Sequence, residues 1–267
     1  QEWKRSKWSA PAKAFLRYCE KCLVENSDLA ICDSVNIEKY IKDTYGRRVK
    51  DTAFIAYGAY TDRSLCDEEK LTEWYAQFNV KRGNYYLIVG RFVPENNYET
   101  MITEFMRSKT EKDLVIITNV EHNKFYEQLR EKTGFEKDKR IKFVGTVYDQ
   151  DLLKKIREEA YGYLHGHEVG GTNPSLLEAL ASTRLNLLLG VGFNKEVGED
   201  SALYWSKEPG NLAALLEKAD ALNAETIEQL DEKSTARVQN AYSWEKIIKA
   251  YEQTFLGEQA ILSKERV

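Results

Sequence analysis

His165-Gly166-His167-Glu168-Val169-Gly170-Gly171-Thr172-Asn173-Pro174-Ser175-Leu176-Leu177-Glu178 holds the end of a strand, a glycine-rich turn and the start of a helix. Asn173 suits an N-cap and Pro174 the first helical position. The glycines let a ligand approach the backbone closely. Free N–H groups of Ser175 and Leu176, with the helix dipole behind them, would form an anion site, and a diphosphate is the natural guest. Glu178 lies one turn into that helix, where its carboxylate would accept ribose hydroxyls. The bland alternative is a glycine-rich connector with an ordinary cap.

Working outward, the same alternation recurs. Apolar strands are expected at Tyr85 to Val89, Leu114 to Ile117, Ile141 to Val144, Tyr161 to His165 and Leu185 to Leu189. Helices are expected at Tyr98 to Met106, Phe125 to Lys132, Asp151 to Ala160 and Pro174 to Ser182. Near-continuous apolar strands separated by helices signal a parallel sheet covered on both faces. Such α/β sheets bind ligands beyond the carboxyl ends of their strands. A second strand-to-helix segment, Gly90-Arg91-Phe92-Val93-Pro94-Glu95-Asn96-Asn97, stands at that edge. Its Arg91 offers forked donors suited to phosphate oxygens.

An earlier block, Ser9 to Phe78, offers two clear strands (Leu29 to Cys32, Thr52 to Ala56) and three helices (Pro11 to Glu25, Asn36 to Tyr45, Glu68 to Phe78). It reads as the end of a domain. The tail, Asn211 to Leu256, reads as helical, with Ser243 as the cap of the last helix.

Composition bounds the rest. The chain has 267 residues, 42% hydrophobic and 31% charged, as in ordinary globular proteins. No apolar run reaches the roughly 18 residues of a membrane span, and the opening Gln1-Glu2-Trp3-Lys4-Arg5 lacks the apolar core of a secretory signal. A net charge of -4 argues against a nucleic-acid partner. Four cysteines, Cys19, Cys22, Cys32 and Cys66, read as unpaired thiols of a reducing cytoplasm. Asp149-Gln150-Asp151 stands at a helix start, where capping explains it better than a metal.

The two strand-end segments resemble the donor domain of GT4-type retaining glycosyltransferases of the GT-B fold. That family opens its C-terminal domain with G-R-hydrophobic-x-P-E-K-N. Gly90 to Asn97 matches, with Asn96 in place of the lysine. The family closes its site with E-x7-E, the second glutamate within L-E-A. Leu177-Glu178-Ala179 matches, but eight positions back stands Gly170, and Glu168 is ten back. The run Gly166 to Ala179, with Val144 to Tyr148, Asn194-x-Glu196-Val197 and Ala202 to Trp205, is similar to rhamnosyltransferases of bacterial surface-polysaccharide assembly, above all the streptococcal β-1,4 type.

This resemblance implies an α/β, GT-B architecture. It comprises an N-terminal Rossmann-like acceptor domain, incomplete over residues 1–80, and a donor domain over 81–240. A segment 241–267 would cross back to the N-terminal part. It implies transfer of L-rhamnose from dTDP-L-rhamnose, with retention, onto a lipid-linked or polysaccharide acceptor. No cofactor and no metal are expected. Location would be cytoplasmic, with peripheral contact at the inner membrane face through the basic, tryptophan-bearing residues 1–25. Arg91 would neutralise the diphosphate, and Gly170, Gly171, Thr172 and Asn173, with Ser175 and Leu176, would hold diphosphate and sugar. Asn96 takes the family's lysine position, Gly145 and Thr146 would border the base, and Glu178 would bind the nucleoside sugar. His167 and Glu168 are the expected contacts to the transferred sugar. The loop that opens the family's N-terminal domain is absent, so this fragment is expected to transfer little alone. A UDP-hexose donor, or a non-catalytic nucleotide-sugar-binding module, are the alternatives.

Overall fold

The computed structural model of the protein describes residues 2–5 and 7–257. In chain order the elements are α1 (Ala10–Asn26), β1 (Ala30–Cys32), α2 (Val35–Tyr45), β2 (Thr52–Phe54), α3 (Glu68–Phe78), β3 (Tyr85–Val89), α4 (Tyr98–Arg107), β4 (Asp113–Ile117), α5 (Lys124–Thr133) and β5 (Ile141–Phe143). There follow α6 (Gln150–Glu158), β6 (Gly162–His165), α7 (Pro174–Ser182), β7 (Asn186–Leu189), α8 (Gly192–Gly198), β8 (Leu203–Trp205), α9 (Asn211–Asp220), α10 (Ala224–Ala241) and α11 (Trp244–Phe255).

Strands β3 to β8 form one parallel sheet in the order β5-β4-β3-β6-β7-β8. Winding therefore starts at β3, runs outward to β5, then reverses through β6 to the other edge. The reversal leaves a crevice between the carboxyl ends of β3 and β6, where connections depart to opposite sides. Side chains alternate across this sheet. Tyr86, Ile88, Leu114, Ile116 and Leu187 face α4, α5 and α9. Tyr85, Leu87, Val115, Ile117 and Tyr163 face α3, α6 and α7. Burial on both faces is why β3, inside the sheet, carries no charged residue at any position.

Two elements lie where the sequence gives no strand or helix pattern, β8 and α8. Strand β8, Leu203-Tyr204-Trp205, is a three-residue edge with Leu203 and Tyr204 only half-buried, too short to stand out as a strand in the sequence. Caps also differ from expectation. Ser9 and Ser243 occupy N-cap positions without bonding through their side chains, whereas Asp149 does cap α6.

Strands β1 and β2 pair in parallel with α2 as their crossover. The chain after β2 runs into contact with the C-terminal helices. Ala59 N donates to Tyr242 O at 2.8 Å, and Ile55 and Ala56 share a core with Leu176, Leu180, Val238 and Ile247. Residues 258–267 of the expected returning segment lie outside the described residues. A carboxylate ties α2 to α8. Glu196 accepts from Ser34 Oγ (2.9 Å), Val35 N (2.8 Å), Asn36 N (3.2 Å) and Asn36 Nδ2 (2.5 Å). It thereby supplies, from the far half of the chain, the anion that the N-terminus of α2 favours.

No described helix is long and apolar enough to cross a membrane. Trp3 and Trp8 are half-buried and lie beneath cations, Arg17 at 3.9 Å and Lys7 at 4.6 Å from the ring centroids. The large apolar side chains that α1 exposes are Phe15, Tyr18 and Leu23.

Candidate functional site

The end of β3 is fastened to the start of α7. Val89 O accepts from Ser175 Oγ and from Tyr163 OH, each at 3.1 Å, and these two hydroxyls lie 2.9 Å apart. The loops after β3 and β6 are thus brought together at the reversal of strand order. His167 packs on Gly90, its Cε1 3.2 Å from where a Cβ there would stand. Asn97 spans the two loops, donating to Gly166 O (2.8 Å) and Glu168 Oε2 (3.1 Å).

Arg91 follows Gly90, exposed, and its guanidinium makes no hydrogen bond or ion pair among the described residues. Asn96, by contrast, is buried, and its amide donates to Arg91 O at 2.8 Å. Its side chain shapes the turn that presents Arg91.

At α7 the expectation of free amides is corrected. Ser175 N and Leu176 N both donate to Asn173 Oδ1, at 2.9 and 3.3 Å. The physical reason is the cap itself: an asparagine good enough to start the helix reaches the same amides an anion would need. The N–H groups of Gly170, Gly171 and Asn173 have no acceptor among the described residues, so donors remain one turn earlier. Thr172 is buried and donates through both N (3.4 Å) and Oγ1 to Asp33 O. Gly145 O accepts from Thr118 N at 3.0 Å, with Thr146 exposed beside it at the end of β5.

His165 and His167 stack with centroids 4.3 Å apart and planes at 11°. Neither ring nitrogen of His165 nor Nδ1 of His167 has a hydrogen-bond partner among the described residues. Burial, with the nearby charges of Arg91 and Arg5, pushes His167 down to about 4. Burial, with His167 beside it, lowers His165 as well. Both imidazoles are therefore neutral at pH 7. For Glu168 burial pulls upward, but hydrogen bonds from Lys207 (2.7 and 2.8 Å) and Asn97 outweigh it and hold the carboxyl below its usual range.

The buried pair has a stability consequence. The unfolded histidines bind protons below about 6.5 while the folded ones do not, so acid favours unfolding. Stability is expected to fall as pH drops from about 6.5 toward 4, by up to about 1.4 kcal/mol per pH unit for each histidine. Melting temperatures between pH 7.5 and 5.5 check this. His167→Asn should flatten the slope by one histidine's share, and an unchanged slope would refute the assignment.

Glu178 is half-exposed, and its Oε2 lies 2.6 Å from Nη2 of the almost fully buried Arg157. Together with Tyr60, Asp62, Lys154 and Ser182 they line a cavity of about 250 Å³. A second cavity, about 360 Å³, lies along the glycine-rich loop, bounded by Lys4, Asn36, Tyr40, Glu168, Gly170 and Phe193. Arg157, Lys207 and Asp33 belong to this region, and no motif in the sequence marks them. Arg157 reads as one more charge on an amphipathic helix until α6 and α7 are seen side by side.

Among the described residues no group of three or more His, Cys, Asp or Glu side chains is placed to hold a metal ion. The family described as Domain of unknown function (DUF1972) matches residues 1–60. No curated protein matches the chain. Among solved structures, sucrose-phosphate synthase from Thermosynechococcus elongatus is 19% identical with a TM-score of 0.75, covering 96% of this chain and 65% of that one. Anabaena HepE in complex with UDP and glucose is 14% identical at 0.78, covering 91% and 67%. The α,α-trehalose 6-phosphate synthase of Burkholderia multivorans is 14% identical at 0.70, covering 95% and 62%. The chain spans about two thirds of the length of these structures. They are GT-B glycosyltransferases, and the fold of this chain, a parallel α/β sheet with its crevice at the strand reversal, is the GT-B fold.

Proposed function

We propose that this protein is a glycosyltransferase that seats a nucleoside diphosphate sugar in the crevice between β3 and β6. One observation carries the reading: two strand-end loops, one bearing an arginine without a partner among the described residues and the other a glycine-rich helix start, are fastened together at the reversal of strand order. Residues 81–240 act as the donor domain, 1–80 belong to the acceptor side, and the described part of the tail, 241–257, returns to it. The diphosphate lies between the Arg91 guanidinium and the amides of Gly170, Gly171 and Asn173. The nucleoside extends toward the cavity at Glu178, with Gly145 and Thr146 at the base. Glu178 accepts a sugar hydroxyl while Arg157 fixes its orientation.

The chemistry follows from charge. Cleavage of the sugar–phosphate bond leaves negative charge on the diphosphate, opposite an oxocarbenium-like sugar. Donors already aimed at that charge lower the barrier most. A neutral His167 and an ionised, clamped Glu168 border the path of the sugar without trading protons at pH 7.

The sugar is L-rhamnose from dTDP-L-rhamnose, with transfer to a lipid-linked acceptor. This finer reading is supported by the likeness of Gly166 to Ala179 to the bacterial rhamnosyltransferases. A UDP-hexose is the alternative, favoured by the UDP bound to HepE. A nucleotide panel separates them by thermal unfolding. The cognate nucleotide at about 100 times its Kd adds about 2.7 kcal/mol and raises Tm by several degrees. dTDP is expected to do so and UDP and GDP to do much less. Protection by UDP alone overturns the rhamnose reading, and protection by none of the three overturns the site.

A further inference from the structure

Asp33 follows β1 directly, in the half of the chain opposite the donor loops, yet its side chain reaches them. A Cβ on Gly171 would lie 2.6 Å from Asp33 Cγ and 2.9 Å from Oδ2, so the carboxylate sits directly on that glycine's α-carbon. The position is fixed from two sides. Thr172 grips Asp33 O through its amide and hydroxyl, and Glu196 grips the next three residues. The Asp33 carboxylate is half-buried, and no other side chain donates to it or pairs with it among the described residues. Burial raises its pKa, and the Glu196 carboxylate adds to the rise.

This arrangement is unfavourable in the empty protein. Among the described residues only its own backbone N–H donates to this half-buried carboxylate, so its lost hydration is made good only in part. Set against the loop that receives a diphosphate, it also repels that ligand. Two carboxylate oxygens are, however, apt acceptors for the hydroxyls of a sugar. Resting on the proposed donor site, we infer that Asp33 is a specificity residue whose carboxylate accepts hydrogen bonds from hydroxyls of the transferred sugar, selecting nucleotide sugar over bare nucleotide. Gly170, one residue before its contact, has no side chain to do this. The opposite half provides the acceptor instead, so the sugar is read only when the two halves are together.

The inference separates two affinities that a merely structural role would move together. Calorimetric titration of wild type and D33N with dTDP and dTDP-L-rhamnose, and with UDP and UDP-glucose, measures both. D33N removes the repulsion, so the bare diphosphate is expected to bind unchanged to about 3-fold tighter. The added affinity from the sugar is expected to drop about tenfold or more, the size of a hydrogen bond to a charged group. D33A should show the same split, and the melting temperatures of both variants report whether the fold is kept. A sugar increment retained in full by folded D33N overturns this inference and leaves the donor site standing. Failure of every nucleotide to bind wild type overturns the site, and the inference with it.

Discussion

On the proposed function, Arg91→Ala is expected to lower sugar transfer by about 100-fold or more, and to weaken nucleotide-sugar binding, without lowering Tm. Removal of one donor aimed at developing charge typically costs a factor of about 100 to 1000, and a guanidinium offers several such donors. The fold should not register the change, because the side chain is exposed and bonds to nothing among the described residues. The turn that carries it is held through its backbone, by Asn96 on Arg91 O. Arg91→Lys should recover part of the loss, since it restores charge but not the fork. The measurement is single-turnover transfer alongside titration with the donor. Wild-type transfer by Arg91→Ala would place the diphosphate elsewhere.

Gly166→Ala is expected to cost about 2–3 kcal/mol of stability, or on the order of 5–10 °C in Tm. A Cβ there would stand 2.5 Å from Asn96 O and 3.0 Å from both Cε and Sδ of Met101. Methionine can turn away, but a backbone carbonyl cannot. Asn96 O belongs to the turn after β3, and Asn97 binds Gly166 O back across the same gap at 2.8 Å. Relief therefore requires the two site loops to part. Thermal melting by circular dichroism decides it, and a loss below about 1 kcal/mol would mean the loops are not rigidly joined.

These two cases show what a linear sequence can carry. Tyr85 to Val89 was legible as a strand because burial on both faces makes every position apolar. Pro174 to Ser182 was legible because an asparagine cap and a first-turn proline announce a helix. The same asparagine also misled: it advertised an anion site and then filled two of its amides. Arg91 could be placed from its position one residue past a strand-ending glycine. Arg157 could not, since its partner Glu178 lies on another helix. Asp33 was hidden for a similar reason. Nothing in Ile31-Cys32-Asp33-Ser34 states that a glycine from the far half of the chain will lie under that carboxylate.

The anchoring of α2 by Glu196 bears on how such a chain could be recombined. A helix whose first turn is completed by a group some 160 positions downstream is not a portable module. A donor half exchanged from a relative would have to bring a matching acid, or leave the amides of Val35 and Asn36 bare at the seam. In evolution the hydroxyl of Ser34 and the acid that answers it would be inherited as one trait, although 162 positions separate them.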